Sequence, residues 1–146
     1  MILREMLVDD LDQVMEIEEE LFFCSLDKRR ISDISYEREC NVSCCGRKKA
    51  GSLGIAAFLL CWTRGDVTNV AVRRDRQREG IGNFLMESMI RLAEERGITM
   101  IHLEVRAGNE TAIRLYERQG FVRDGLRKAY YTDPTEDAVL MTRTAS

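Results

Sequence analysis

The sequence has little of what metal sites and disulfide frameworks require. It contains a single histidine, His102, and its five cysteines include no pair in C-x-x-C spacing. A zinc site needs four suitable ligands, commonly in such pairs, so we expect no metal site. An odd number of cysteines without a secretory leader favours reduced thiols, and we expect Cys45 and Cys61 to lie in the core rather than act as nucleophiles.

Long apolar runs and linkers are also missing. No stretch approaches the roughly 18 apolar residues that span a bilayer, and the longest candidate, Leu53 to Trp62, fits a buried strand. The N-terminus, MILREMLVDD, lacks the basic start and long apolar core of a secretory signal, which favours a cytoplasmic protein without a membrane partner. With 146 residues, one proline and no repeat, the chain is expected to form one domain, residues 1–146.

Positive charge does not dominate either. The net charge of −3 and the pI of about 5.3 argue against a general nucleic-acid binder. The charge is nevertheless uneven, because Asp9 to Glu20 is acidic and Arg73 to Arg78 is basic. This asymmetry suggests an anionic ligand at the basic segment and a cationic partner near the acidic one, although the acidic segment equally fits a solvated helix surface.

The segment from Asn69 to Phe84 combines a strand, a basic loop and the start of a helix. Val70 to Val72 are apolar, arginines follow at positions 73, 74, 76 and 78, and Gly80 and Gly82 stand where a periodic helix begins. Glycines let the backbone approach a ligand, and free N–H groups at a helix start attract anions. The segment therefore predicts a diphosphate site, with a solvated arginine-rich turn as the alternative.

Hydrophobic periodicity predicts the order β-α-α-β-β-β-α-β-α-β-β, a mixed sheet with helices packed on it. The predicted strands are Ile2–Val8, Asn41–Gly46, Leu53–Thr63, Val67–Val72, Ile98–Val105, one that starts at Phe121, and Ala138–Thr142. The predicted helices run from Asp9 or Asp10 to about Leu21, from Ser25 onward, from Gly80 to Arg96 and from Asn109 to Gln119. Arg64-Gly65-Asp66 is predicted as a hairpin turn, and the region through Tyr130, Tyr131 and Pro134 as a loop or hairpin tip.

Several motifs resemble one known family. Gln77 to Gly82, read as QREGIG, matches the Q/R-x-x-G-x-G/A signature of the GCN5-related N-acetyltransferases (GNAT). LEVRAGN, AIRLYE and QGF follow in order and look like the RimI-type ribosomal-protein-alanine acetyltransferases. The similarity is strong from about Val67 to Tyr131 and weak before Gly51. The chain departs from the RimI type at Phe22-Phe23-Cys24-Ser25, where a Pro-Trp pair is usual.

The resemblance implies the GNAT fold and an acetyl-CoA cosubstrate. This α/β fold has a central, mostly antiparallel sheet, splayed fourth and fifth strands, and helices on both faces. Pantetheine would lie in the splay and pair with the backbone of Val70, Ala71 and Val72. The pyrophosphate would bind backbone N–H groups of Arg78, Glu79, Gly80, Ile81, Gly82 and Asn83. Asn109 would contact CoA and also cap its helix.

The resemblance also implies two catalytic residues. Glu104 matches the general base, and Tyr116 matches the general acid that protonates the departing thiolate. Without the family motifs, Glu104 would be an outward-facing strand glutamate and Tyr116 a core tyrosine. Tyr130 and Tyr131 would line the peptide-binding side, with loop packing as an equal alternative.

The implied acceptor is a protein N-terminus, with the N-terminal alanine of small-subunit ribosomal protein eighteen as the leading candidate. Alternatives with the same chemistry are a small amine, a lysine or another N-terminus. A CoA-binding module without turnover is a different class, and intact Glu104 and Tyr116 argue against it. RNA binding through the arginine loop lacks interleaved aromatic residues.

Overall fold

The computed structural model describes residues 2–5, 7–10, 12–13, 15–17, 40–47, 51–61, 63–132 and 134–145. The helices are α1 (Ile81–Glu95) and α2 (Glu110–Arg118). The strands are β1 (Ile2–Glu5), β2 (Cys40–Arg47), β3 (Gly51–Cys61), β4 (Arg64–Val72), β5 (Met100–Arg106), β6 (Val122–Tyr131) and β7 (Glu136–Thr144). Residues 12–13 and 15–17 are also helical, and no described helix is long and apolar enough to cross a membrane.

The seven strands form one sheet in the order β1-β2-β3-β4-β5-β7-β6. Neighbouring strands are antiparallel except β4 and β5, which are parallel. Parallel strands need a crossover connection, and α1 supplies it between β4 and β5. The predicted mixed, mostly antiparallel sheet is therefore confirmed.

Helix α1 buries one apolar face against the sheet. Its buried residues recur at helical spacing, and they are Ile81, Leu85, Met86, Met89, Ile90 and Ala93. They pack into one cluster with β3 residues such as Phe58, which is fully buried. The predicted helix is confirmed, although Phe84 and Leu92 are only partly buried. The 3.6-residue periodicity identified this helix because the sheet covers only one of its faces.

The predicted hairpin turn at Arg64-Gly65-Asp66 is wrong. These residues open β4, where Arg64 pairs with Cys61, so they belong to the strand and not to the turn before it. Gly65 is buried, and a Cβ placed on it would lie 3.2 Å from Leu60 Cδ2. The glycine thus permits close packing inside the sheet, which a sequence pattern does not distinguish from turn chemistry.

Other boundaries also differ from the predictions, and two of them have an identifiable consequence. Strand β1 ends at Glu5, and Val8 lies in a 3₁₀ turn, Val8–Asp10, instead of the strand. The Asp10 carboxylate favours this turn because it accepts the Leu7 N–H at 2.8 Å and pairs with Arg4 at 2.6 Å. Tyr130 and Tyr131 belong to β6 rather than to a loop, and the hairpin tip follows them.

Some predictions lie outside the described residues. They include the helix from Ser25 onward, most of the first helix, the Phe22–Ser25 segment and the side chains of Cys45 and Cys61. Within the first helix, Ile17 is described and is buried as predicted.

Candidate active site

Strands β4 and β5 separate halfway along their length. They pair from Arg64 opposite Met100 to Val67 opposite Leu103, and the pairing stops there. Beyond this point Val70, Ala71 and Val72 remain paired with β3, whereas Glu104 and its successors pair with β7. Among the described strands none pairs with the facing edges of these two halves, so their backbone groups can hydrogen-bond a ligand. The splay expected from the family resemblance is confirmed.

Helix α1 begins beside this gap without a cap. Gly80 is its N-cap residue, no side chain of the described residues caps the helix, and its first turn contains no acidic residue. The N–H groups of Ile81, Gly82 and Asn83 lack intrahelical partners by position. Gly80 has φ +80°, and, apart from its chain neighbours, no atom of the described residues lies within 4 Å of a Cβ placed on it. The positive end of the α1 dipole therefore faces open space, which suits an anion.

The basic loop before α1 is held by its own side chains. Gln77 Nε2 donates to the Val72 carbonyl at 3.3 Å, which ties the loop to the end of β4. Two arginines form ion pairs at 3.2 Å, Arg73 with Asp75 and Arg76 with Glu79. Within the described part of the chain, Arg74 and Arg78 form no ion pair. They are the loop cations left available to a phosphate.

Glu104 lies on the open face of β5. Positions 101, 103 and 105 of this strand are buried and positions 102, 104 and 106 are not. The Glu104 side chain is 35% exposed. Its Oε2 accepts the Tyr130 hydroxyl at 2.9 Å, and its Oε1 lies 3.4 Å from Arg127 Nη1. The hydrogen bond to Glu104, followed by partial burial, raises the pKa of Tyr130.

Tyr116 lies on the inner face of α2, where it packs edge-on against Phe121 at 5.9 Å between ring centroids. Burial, with a smaller effect of Tyr131, raises the pKa of Tyr116 to about 12. A phenol with this pKa stays protonated at neutral pH and can donate a hydrogen bond or a proton. Tyr116 is therefore both a core residue and a candidate acid.

Tyr130 and Tyr131 connect Glu104 with Tyr116. Their rings meet edge to face at 5.0 Å, and the Arg106 guanidinium lies 4.4 Å from the Tyr131 ring centroid. Burial, followed by the effect of Tyr130, raises the pKa of Tyr131 to about 12. Tyr130 donates to Glu104 and contacts Tyr131, and these residues with Arg106 and Arg127 form what we call the Glu104 cluster.

The end of β6 reaches this cluster through a bulge. Arg127 pairs with Ala138 and Tyr131 with Glu136, so five residues of β6 face three of β7. Ala129 adopts φ +52°, and its N–H donates to Asp137 Oδ1 at 2.8 Å. A bulge of this kind re-aims side chains, and here it accompanies the Tyr130 contact with Glu104.

Glu136 fixes the same hairpin to the β5–α2 loop. Its Oε2 accepts the Gly108 N–H at 2.7 Å, and its Oε1 lies 3.4 Å from Arg106 Nη1. Asn109 follows this loop and caps α2, since its side-chain oxygen accepts the Ala112 N–H at 3.2 Å. The cap was predicted. The contributions of Arg127, Arg106 and Glu136 were not, because they depend on strand register.

Comparisons with known proteins agree with this geometry. Residues 11–121 match the acetyltransferase (GNAT) family. The chain is 34% identical over 134 residues to the [ribosomal protein bS18]-alanine N-acetyltransferase of Escherichia coli K12, which covers 90% of this chain and 89% of the relative. It is 41% identical over 81 residues to an N-alpha-acetyltransferase of Saccharolobus solfataricus, which covers 55% of this chain and 48% of the relative.

A solved structure is similar over nearly the whole chain. The crystal structure of the ribosomal-protein-S18-alanine N-acetyltransferase from Escherichia coli superposes with a TM-score of 0.91 and 30% identity, over 99% of this chain and 94% of that chain. Sequence, fold and site geometry agree. The chain belongs to the acetyltransferase (GNAT) family and is an acyltransferase.

Proposed function

We propose that the protein transfers the acetyl group of acetyl-CoA to a protein N-terminus, and that its acceptor is the N-terminal alanine of ribosomal protein bS18. The observation that carries the proposal is the gap between β4 and β5, which has the uncapped start of α1 beside it and the Glu104 cluster on its β5 side. The similarity to the Escherichia coli enzyme supports the choice of acceptor. Such an acceptor implies action in the cytoplasm.

Acetyl-CoA would be held mainly by the backbone. Its pantetheine amides would pair with Val70, Ala71 and Val72 at the free edge of β4. Its pyrophosphate would accept the N–H groups at the start of α1, from Arg78 to Asn83, and Arg74 or Arg78 would reach its charged groups. Asn109 would approach CoA only with atoms that its capping bond leaves available.

The reaction would use one base and one acid. Glu104 would accept a proton from the acceptor ammonium, directly or through a water, and the free amine would attack the thioester carbonyl. When the C–S bond breaks, the leaving thiolate would take a proton from the Tyr116 hydroxyl, and the proton that the attacking nitrogen still carries would restore this hydroxyl, directly or through water.

The archaeal N-alpha-acetyltransferase favours a second candidate, in which the acceptor is a different protein N-terminus. An acetyl-transfer assay distinguishes the two. Its acceptors are a bS18 N-terminal peptide, the same peptide with a blocked amine, peptides with other N-terminal residues, a lysine peptide and a polyamine. We expect transfer only to the free alanine terminus. Transfer to another amine would support the acetyl-transfer reaction but exclude the bS18 alanine terminus as the specific acceptor.

The catalytic assignment is tested by Glu104→Gln. We expect kcat to fall about 10²- to 10⁴-fold, the usual contribution of a general base, with acetyl-CoA affinity unchanged. The matched control is Glu87→Gln, an exposed glutamate of α1 outside the cluster. A rate equal to that of the unmodified protein across the pH range would remove Glu104 from the base role, and tight acetyl-CoA binding without any transfer would favour a binding module.

A further inference from the structure

The Arg127 side chain contacts the Glu104 carboxylate and the Tyr130 ring, two groups that together can bind a cation. Its Nη1 is 3.4 Å from Glu104 Oε1, and its Cζ is 5.6 Å from the Tyr130 ring centroid. The Tyr130 hydroxyl donates to the other carboxylate oxygen at 2.9 Å, which holds ring and carboxylate together. A carboxylate beside an aromatic face attracts cations through its charge and through the ring quadrupole.

Arg127 is held only weakly in this position. Its side chain is 56% exposed and that of Glu104 is 35% exposed. Exposed ion pairs are weak, and breaking one changes a folding or binding constant by about tenfold or less. The neighbouring arginine, Arg106, differs because it contacts the Tyr131 ring, the Glu136 carboxylate and the Pro134 carbonyl together. Of these two arginines, Arg127 is the one that another cation can replace.

We propose that Arg127 occupies the subsite of the acceptor ammonium, and that Glu104 and the Tyr130 ring bind the acceptor in its protonated form after displacing Arg127. This inference rests on the proposed function. A peptide α-amino group has a pKa of about 7.7–8.0, so it reaches a neutral-pH site mostly as ammonium. One of its protons passes to the Glu104 carboxylate, which leaves a neutral amine and a carboxylic acid.

The arrangement also separates substrate from product. The acetylated product is a neutral amide, which neither the carboxylate nor the ring attracts as a cation. Once Glu104 has lost its proton to solvent, Arg127 can return to the subsite as the product leaves. Arg127 is thus a specificity-determining residue. Any group that enters the subsite must displace the Arg127 guanidinium, and a cation does so most easily because Glu104 and the Tyr130 ring attract it.

The test replaces Arg127 with Met, which keeps a long side chain and removes its charge. Methylguanidinium serves as the probe because it reproduces the displaced group. Its binding is followed by NMR of ¹³C-labelled tyrosine rings, with Tyr130 assigned through Tyr130→Phe. We expect methylguanidinium to bind Arg127→Met about three- to tenfold more tightly than the unmodified protein. In acetyl transfer it should compete with the acceptor peptide and not with acetyl-CoA.

The acceptor KM should fall by a similar factor in Arg127→Met, and Arg127→Lys should restore the original values. The matched control is Arg123→Met, because Arg123 is on the same strand, is 57% exposed and pairs with Glu117 at 3.0 Å away from this cluster. Equal methylguanidinium binding by Arg127→Met and the unmodified protein would overturn the inference, as would a raised acceptor KM. The NMR measurement does not require turnover, so failure of the proposed acceptor would leave this result interpretable.

Discussion

Helices α1 and α2 begin in opposite ways. Helix α2 is closed at its start, because Asn109 caps the Ala112 N–H and Glu110 places negative charge in the first turn. Helix α1 starts on Gly80, with neither a side-chain cap nor an acidic residue. Closing a helix start typically stabilises a protein by about 1 kcal/mol, so α1 lacks a contribution that α2 has. The difference suggests that α1 leaves its first N–H groups for a ligand.

The two helices would then serve the site through different parts. Helix α1 would offer backbone N–H groups at its first turn, whereas α2 would offer the Tyr116 side chain on its buried face. Backbone N–H groups bind an anionic group whatever side chains their residues carry. A buried hydroxyl instead donates its single proton to one atom. Substitutions at the start of α1 should therefore alter acetyl-CoA affinity. Substitutions of Tyr116 should alter how the protein responds to pH, because they remove its phenolic proton.

The largest effect is expected from Tyr116 at alkaline pH. Folding raises the pKa of Tyr116 from 10.0 to about 12, so the folded protein holds this phenolic proton more tightly than the unfolded chain does. The resulting stabilisation is complete below pH 10 and is lost as pH rises from 10 to about 12. Two pKa units correspond to about 2.7 kcal/mol.

Urea unfolding at pH 8 to 12 measures this contribution. The unfolding free energy of the unmodified protein should fall more steeply above pH 10 than that of Tyr116→Phe. Tyr131→Phe is the comparison variant. Tyr131 also has a raised pKa but is less buried, so its ionisation should remove less of the unfolding free energy than that of Tyr116. Parallel curves for Tyr116→Phe and the unmodified protein would show that Tyr116 is not held in a proton-retaining environment.

The second prediction concerns the open space at Gly80. Gly80 and Gly97 stand at opposite ends of α1, and both have φ +80°. Apart from chain neighbours, neither has an atom of the described part of the chain within 4 Å of an added Cβ. Leucine at either position should cost about 1–2 kcal/mol of stability, because L residues are strained in the left-handed region. Only Gly80→Leu should weaken acetyl-CoA binding, by about tenfold or more, since its side chain would enter the proposed pyrophosphate site.

Calorimetric titration with acetyl-CoA, together with urea unfolding, separates these effects. Gly97→Leu is the control for strain at the same backbone conformation. Equal acetyl-CoA affinity in the two variants would mean that the start of α1 does not bind the cosubstrate.

Local patterns predicted much of the fold and less of the site. The α1 periodicity and the Asn109 cap are local signals, and each was confirmed. The splay between β4 and β5 was expected only from the family resemblance, because strand separation depends on pairing between distant segments. Gly65 shows the limit, since a glycine beside Asp66 predicts a turn whereas packing against Leu60 places it inside the sheet.

The Glu104 cluster shows the same limit for function. Family motifs indicated Glu104 and Tyr116 as catalytic residues. Neither these motifs nor the hydrophobic periodicity of the sequence indicated that Arg127 belongs to the site. Its contact with Glu104 depends on the β6 bulge, and the bulge depends on the register of β6 against β7 and on the hydrogen bond between Ala129 and Asp137. Such side-chain contacts follow from three-dimensional pairing, so they become visible only in the structure.

The smallest expected effect comes from giving α1 the negative charge that α2 already carries. Asn83 is the third residue of α1, and its Oδ1 accepts Gln119 Nε2 at 3.5 Å, a contact that aspartate can keep. Asn83→Asp should stabilise the protein by about 0.3–1 kcal/mol through the helix dipole. The same charge should repel the pyrophosphate and weaken acetyl-CoA binding about five- to tenfold.

The opposite signs of these two changes make Asn83→Asp informative. Thr111→Asp, on the exposed first turn of α2, is the control that should add stability without changing acetyl-CoA affinity. Thermal unfolding and acetyl-CoA titration of both variants provide the measurements. If Asn83→Asp gains stability and still binds acetyl-CoA normally, then the uncapped start of α1 is not reserved for the pyrophosphate, and the contrast between the two helices has no functional meaning.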